Sequence, residues 1–191
     1  MSATAPVTLP DDAGPALTGL ARAAITQAFD GGALPHNQAA WLDAPGASFV
    51  TLTQSGRLRG CIGSLQAWQP LRDDVISNAC AAAFRDPRFP ALRAEELPVT
   101  RIEVSVLSAP EPMPFTSQAD ALAQLRPGQD GVILSAGRHR ATFLPQVWEE
   151  LPTPAEFISH LLLKAGLPPD YWSDAVQISR YSVTAFSESS G

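Results

Sequence analysis

The sequence predicts an α+β fold: two pseudo-repeated hairpin-helix-strand units packed as one compact domain, with mainly antiparallel sheet and flanking helices. Three observations carry this. Paired runs of β-forming residues around a short turn occur twice, each pair is followed by a stretch with helical spacing, and each helix is followed by another strand-like run. At 191 residues and 45% hydrophobic content, the chain has the apolar material such a core needs.

Along the chain, residues 1–14 are rich in Pro, Thr, Ala and Asp without periodicity and are expected to be a disordered tail. From Pro15 to Asp30, Leu17, Leu20, Ala21, Ala24, Ile25, Ala28 and Phe29 follow helical spacing, and Gly31-Gly32 supplies the stop. Gly32 to Gly46, with His36, reads as a loop. Ser48 to Gln54, the Ser55-Gly56 turn and Arg57 to Ile62 read as a hairpin ending at Gly63. Pro70 is placed as the first residue of a helix through Leu71, Val75, Ala79, Ala82 and Ala83 that Asp86-Pro87 breaks, and Trp68 is positioned to staple its start. Ile102 to Leu107 alternates as a strand.

The order then recurs. Val132 to Ser135, the Gly137-Arg138 turn and His139 to Leu144 form the second hairpin. Thr153-Pro154-Ala155-Glu156 has capping-box spacing, Phe157, Ile158, Leu161 and Leu162 form the apolar stripe, and Gly166 closes the helix. One strand from Val176 to Phe186 completes the unit. The expected domain is 15–188, with halves at 47–110 and 128–188, and 189–191 form a short tail.

Charge excludes some functions. A net charge of -6 argues against binding to phosphate backbones or anionic membrane surfaces, so neither nucleic acid nor membrane is an expected partner. Twelve of the 13 basic residues are Arg and one is Lys164, a compositional bias that makes any single Arg weak support for anion binding. With no apolar run approaching a membrane span and no export signal, a cytoplasmic location is expected, with Cys61 and Cys80 as free thiols.

The turn Arg59-Gly60-Cys61-Ile62-Gly63 is the candidate site. Strand alternation places Arg59, Cys61 and Gly63 on one face and Gly60 and Ile62 on the other. A guanidinium beside the thiol would favour thiolate, and the glycines would admit a ligand or a second backbone. The same residues also suit a bulge or close-packed crossing holding a buried, inert Cys. Aligning the hairpins by their turns matches Cys61 with Phe143 and Gly63 with Pro145, giving the second copy a bulky apolar residue where the first has a thiol.

Several ordered motifs share one resemblance: Phe49-Val50-Thr51-Leu52, Leu58-Arg59-Gly60-Cys61-Ile62-Gly63, Asp86-Pro87-Arg88-Phe89-Pro90 and Ile102-Glu103-Val104-Ser105-Val106-Leu107. Gly128-Gln129-Asp130-Gly131, Phe143-Leu144-Pro145-Gln146-Val147-Trp148 and Lys164-Ala165-Gly166-Leu167 extend it. Over residues 15 to 188 the chain resembles the AMMECR family, whose bacterial members include the A protein of the AmmeMemoRadiSam system. The resemblance implies a role beside Memo-like and radical-SAM partner proteins. The three-cysteine cluster ligation of the radical enzyme itself is missing from this chain.

Arg85, Asp86 and Arg88 have two readings, capping of the preceding helix or lining of the same cleft as Cys61. None of His36, His139 and His160 is placed as a base for a Cys-His pair. No metal-ligand spacing and no phosphate loop occur, so neither metal nor cofactor is expected.

Three functions therefore stand open. The chain is a binding or scaffolding component offering Arg59, Gly60, Cys61, Ile62, Gly63, Arg85, Asp86 and Arg88 to a small molecule or peptide. Alternatively, it is an enzyme with Cys61 as nucleophile and Arg59 tuning it, or the turn only determines the fold.

Overall fold

A computed structural model of the chain describes residues 7–36 and 39–189. Helix α1 runs Ala13–Asp30 and ends at Gly31, whose φ of 71° is the left-handed conformation glycine adopts without steric cost. Strands β1 (Pro45–Gln54) and β2 (Arg57–Gly63) form the first hairpin, followed by the short β3 (Gln69–Pro70), helix α2 (Leu71–Phe84) and strand β4 (Arg101–Leu107). Next come β5 (Glu111–Pro112), α3 (Gln118–Gln124), the hairpin β6 (Gly131–Ala136) and β7 (His139–Phe143), and α4 (Pro154–Lys164). β8 (Val176–Tyr181) and β9 (Val183–Ser187) close the chain.

The α+β class holds, and so does the internal repeat. In the first sheet the order is β2-β1-β4-β9, with β3 also on β1; in the second it is β5-β8-β6-β7. Hairpin, helix and returning strand thus give β2-β1-β4 in one copy and β7-β6-β8 in the other. In both copies the returning strand pairs antiparallel with the hairpin's first strand. The chain divides into two units, 1–108 with 184–191, and 109–183.

Several boundaries differ from expectation. Val7 and Leu9 pack against the first core and Ala13 is buried inside α1, so the expected tail is structured from Val7 onward. Residues 1–6 of that tail, and 190–191 of the C-terminal one, lie outside the described residues. The single expected strand 176–186 is two strands: β8 belongs to the second sheet, and β9 joins β4 in the first. Pro70 caps α2 instead of opening it, and Trp68, 81% exposed, staples nothing. The helix α3 had no apolar period long enough to announce it; Ser117 caps it by accepting from the Asp120 amide.

In the first unit, α1 and α2 cover one face of the sheet. Leu17, Ile25, Val50, Leu52, Leu71, Val75, Ala79, Ile102 and Val104 are fully or almost fully buried in this core. A polar network is set into it. Asp74, on α2 and buried, accepts from the Ser48 amide at 2.8 Å and the Ser48 hydroxyl at 2.7 Å, and Asn78 Nδ2 donates to the Ser48 carbonyl at 3.0 Å. Asn78 also reaches the Ser64 hydroxyl at 3.1 Å, so the helix holds the residue that follows β2. Every buried side-chain nitrogen and oxygen among the described residues has a partner.

In the second unit, Trp148 stacks on Phe157 at 3.8 Å between ring centroids, and Leu134, Ile158, Leu161 and Leu162 are buried around them. Thr153 caps α4, its hydroxyl accepting from the Glu156 amide at 3.3 Å; the Glu156 carboxylate turns back onto that hydroxyl, which donates to it at 2.8 Å, where the expected capping box would have it on the Thr153 amide.

Candidate functional site

The hairpin carries a β-bulge that decides where Cys61 points. Leu52 pairs with Gly60, yet Thr53 pairs with Leu58, so Arg59 is an extra residue in β2. Counting outward from the Ser55-Gly56 turn without a bulge would put Cys61 opposite Val50, which is fully buried under the helices. With the bulge, Cys61 lies opposite Thr51, and a shift of one residue moves a side chain to the other face of a sheet. Cys61 therefore sits on the face away from α1 and α2, half-buried, with its sulfur 3.3 Å from the Thr51 hydroxyl.

The expected alternation holds for Gly60 and Ile62 on the core side and for Cys61 and Gly63 on the other, while Arg59 leaves it. Its guanidinium forms a two-pronged pair with Glu96, at 3.1 and 3.2 Å, and Nη1 donates to the Pro90 carbonyl at 3.0 Å. No hydrogen bond of Arg59 goes to the thiol among the described residues. Glu96 is pulled down to about 2, chiefly by the Arg59 hydrogen bond and then by the Arg93 amide.

The cation that meets Cys61 is Arg88. Asp86, 4% exposed, accepts the Cys61 backbone amide at 2.9 Å, and Arg88 Nη2 donates to the Cys61 carbonyl at 3.2 Å. Arg88 also grips Asp86 through Nε at 3.0 Å and Nη2 at 2.8 Å, and its own amide closes an Asx turn onto Asp86 at 3.0 Å. The Arg88 hydrogen bond, reinforced by the two amides, holds the Asp86 carboxyl well below the usual carboxylate range. Together the two side chains satisfy the amide and carbonyl of Cys61 on β2, an edge strand, where a further strand would otherwise pair. Arg85 stands apart: it is exposed, and its contact is a long 3.5 Å bond to the Ser77 carbonyl.

The glycines meet the fold's own atoms. A Cβ on Gly60 would lie 2.2 Å from the Ala82 carbonyl oxygen of α2, and one on Gly63 would lie 2.2 Å from the Phe49 ring. Ile62 packs against the first core. Of the neighbours the sequence left open for these glycines, Gly60 meets a second backbone, that of α2, while Gly63 meets a side chain of the same unit.

The bulge also corrects the comparison of the two hairpins. Thr51 pairs with Cys61, and its counterpart in the second copy, Ile133, pairs with Thr142. The equivalent of Cys61 is thus Thr142, which bonds to the Tyr181 hydroxyl at 3.0 Å, and Phe143 corresponds to Ile62. Both copies hold a small polar side chain at this position.

Three residues in line with the thiol were missed. Thr51 pairs with Cys61 on one side and with Glu103 on the other, and Glu103 accepts from the Ser187 hydroxyl at 2.8 Å. Cys61, Thr51, Glu103 and Ser187 form a polar row across four strands. The alternation of Ile102-Glu103-Val104 was the signal that Glu103 faces away from the core, but its register against Cys61 depended on the bulge.

Histidine is not part of this group. His139 bonds to the Ala165 carbonyl and His160 to the Glu156 carbonyl, each at 2.9 Å, and His36 lies exposed in the loop after α1. No cluster of three or more potential metal ligands occurs among the described residues. Cys80 is a separate free thiol whose ionisation burial opposes, with Arg85 partly offsetting.

The AMMECR1 family model matches residues 18–186, which include the whole bulged strand and its Asp86-Arg88 clamp. The chain belongs to the AMMECR1 family. Its relatives include a protein of Methanothermobacter thermautotrophicus, 44% identical over 73% of this chain and 74% of that one. Another, from Methanosarcina barkeri, is 40% identical over 73% and 69%. The crystal structure of the uncharacterized protein PH0010 from Pyrococcus horikoshii is similar with a TM-score of 0.79 and 33% identity, covering 94% of this AMMECR1 chain and 93% of that one. No described helix is long and apolar enough to cross a membrane.

Proposed function

We propose that this chain is a cytoplasmic binding or scaffolding component of a radical-SAM-associated modification system. It presents the outer face around Cys61 to a small molecule or to a peptide of its Memo-like or radical-SAM partner. The observation that carries the binding reading is the clamp. Asp86 and Arg88 fix the Cys61 backbone, and the thiol lies beside Thr51 with no imidazole bonded to it. A nucleophile needs a positioned base, and the one carboxylate on Cys61 is already saturated by Arg88 and two backbone amides. The contact groups are then Cys61, Thr51 and the exposed end of Arg88, with Gly63 on the same face and Gly60 and Ile62 anchoring the strand to the core behind it. The partner half of the reading is supported by the family resemblance.

Native purification followed by mass spectrometry tests it, run on wild type and on Cys61→Ser. Recovery of the Memo-like and radical-SAM proteins or of a small molecule with wild type, reduced in the variant, is the expected result. Failure to recover any of them from wild type counts against it. One observation favours Cys61 as a nucleophile instead: Arg88 Nη2 donates to the Cys61 carbonyl at 3.2 Å, which brings a guanidinium to the residue that bears the thiol. Alkylation of Cys61 as fast at pH 6 as at about pH 9 would favour that reading, since an unperturbed thiol ionises near 8.5.

A further inference from the structure

We infer that the second unit carries its own binding cleft, independent of Cys61, for a planar organic cation. A cleft of about 570 Å³ opens there between the segment after β5 and the segment leading into β8. That volume lies within the usual range for small-molecule sites, roughly 300–1,000 Å³. Its floor is core: Met113 and Ile178 are each 3% exposed. Half-buried Phe115 and Trp172 line it as a pair, ring centroids 5.5 Å apart and planes at 52°.

The walls are pre-formed. The Met113 amide donates to the Ile178 carbonyl at 2.8 Å, which ties the first wall to β8. On the second, the Ser173 hydroxyl bonds to the Tyr171 hydroxyl at 2.8 Å and accepts the Ala175 amide at 3.2 Å, and the Val176 amide closes onto the Ser173 carbonyl at 3.1 Å. A ligand entering such a cleft orders little of it, so little binding energy is lost to ordering.

Charge selects the ligand. Segments 111–118 and 170–179, which supply the walls, contain Glu111, Asp170 and Asp174 and no Lys or Arg. Asp174 lines the cleft itself and is exposed. A phosphate or carboxylate would find no cation, whereas a flat ring carrying a positive charge gains aromatic contact with Trp172 and Phe115 and attraction to Asp174. The ligand class is therefore an aromatic or heteroaromatic ring bearing a group protonated at neutral pH, an alkylamine or amidine.

Three probes sharing one ring separate charge from shape: tryptamine, indole and indole-3-propionate, titrated into the full chain and followed by amide and indole N–H resonances. Tryptamine is expected to shift the Trp172 indole signal and the amides around Asp174 saturably, and to bind about fivefold or more tighter than indole-3-propionate. Asp174→Asn, at an exposed position, should weaken tryptamine about three- to fivefold and leave indole unchanged, while Phe115→Ala weakens both. Absence of shifts at Trp172, equal affinity for the cationic and anionic probes, or an Asp174→Asn variant that binds tryptamine like wild type would each overturn the inference. Cys61→Ser should bind tryptamine as wild type does, which keeps this test separate from that of the Cys61 face.

Discussion

Cys61 owes its position to Arg59, the residue that leaves the strand's alternation, and its rigidity to Asp86. Because the Asp86 carboxylate is buried and accepts four hydrogen bonds, Asp86→Ala leaves the Cys61 amide and the Arg88 guanidinium without their partner. A loss of about 2–3 kcal/mol is expected in denaturant unfolding. Cys61→Ser, on the non-core face, should cost under about 1 kcal/mol and keep the melting temperature within a few degrees; a cost above that would return the thiol to a packing role. The pH response follows from two carboxylates. Glu96 and Asp86 are both depressed in the folded chain, so their contribution to stability is complete above the unfolded value of about 4. It is lost as pH falls below about 4, for Glu96 down to about 2 and for Asp86 from the same point on to lower pH still. The urea midpoint measured against pH should fall through that range, and Asp86→Asn should flatten the fall.

At the scale of elements, the close approach of α2 to the sheet depends on Gly60 and on the Asp74 network. Gly60→Ala places a methyl group 2.2 Å from a helix carbonyl that no rotamer change can move, and a cost of about 3 kcal/mol is expected in chemical denaturation. A cost near zero would mean that α2 shifts freely on β2. Asp74→Ala leaves the Ser48 amide and hydroxyl unsatisfied in a buried setting and should lose a comparable amount. The elements themselves were largely legible. Alternation and turn residues located both hairpins, and helical spacing with Gly31, Gly166 and the Thr153 cap located α1 and α4. The seven-residue α3 was not legible, because two turns of helix carry too few apolar positions to show a period.

For the whole molecule, the last strand belongs with the first sheet. β9 pairs beside β4, and Glu188 accepts from Arg22 and from the Ile102 amide. Truncation after Tyr181 should therefore raise amide exchange in α1 and β4 while leaving β6 and β8 protected, as measured by hydrogen exchange. Equal loss of protection in both units would show that they do not unfold separately.

The sequence by itself determined the α+β class and the repeated order of elements, which rest on local periodicity, and the family, which rests on several motifs in order. Only the tertiary structure decided what the Cys61 segment is, a bulged stretch of β2 where the sequence suggested a turn at a strand end. The extra residue at Arg59 changes a pairing register, and register is a relation between strands that no single strand encodes. Likewise Glu96 draws Arg59 away, Asp86 and Arg88 arrive at Cys61 from beyond α2, and the 176–186 run divides between two sheets. Each is a long-range pairing, settled by where helices and strands close on one another.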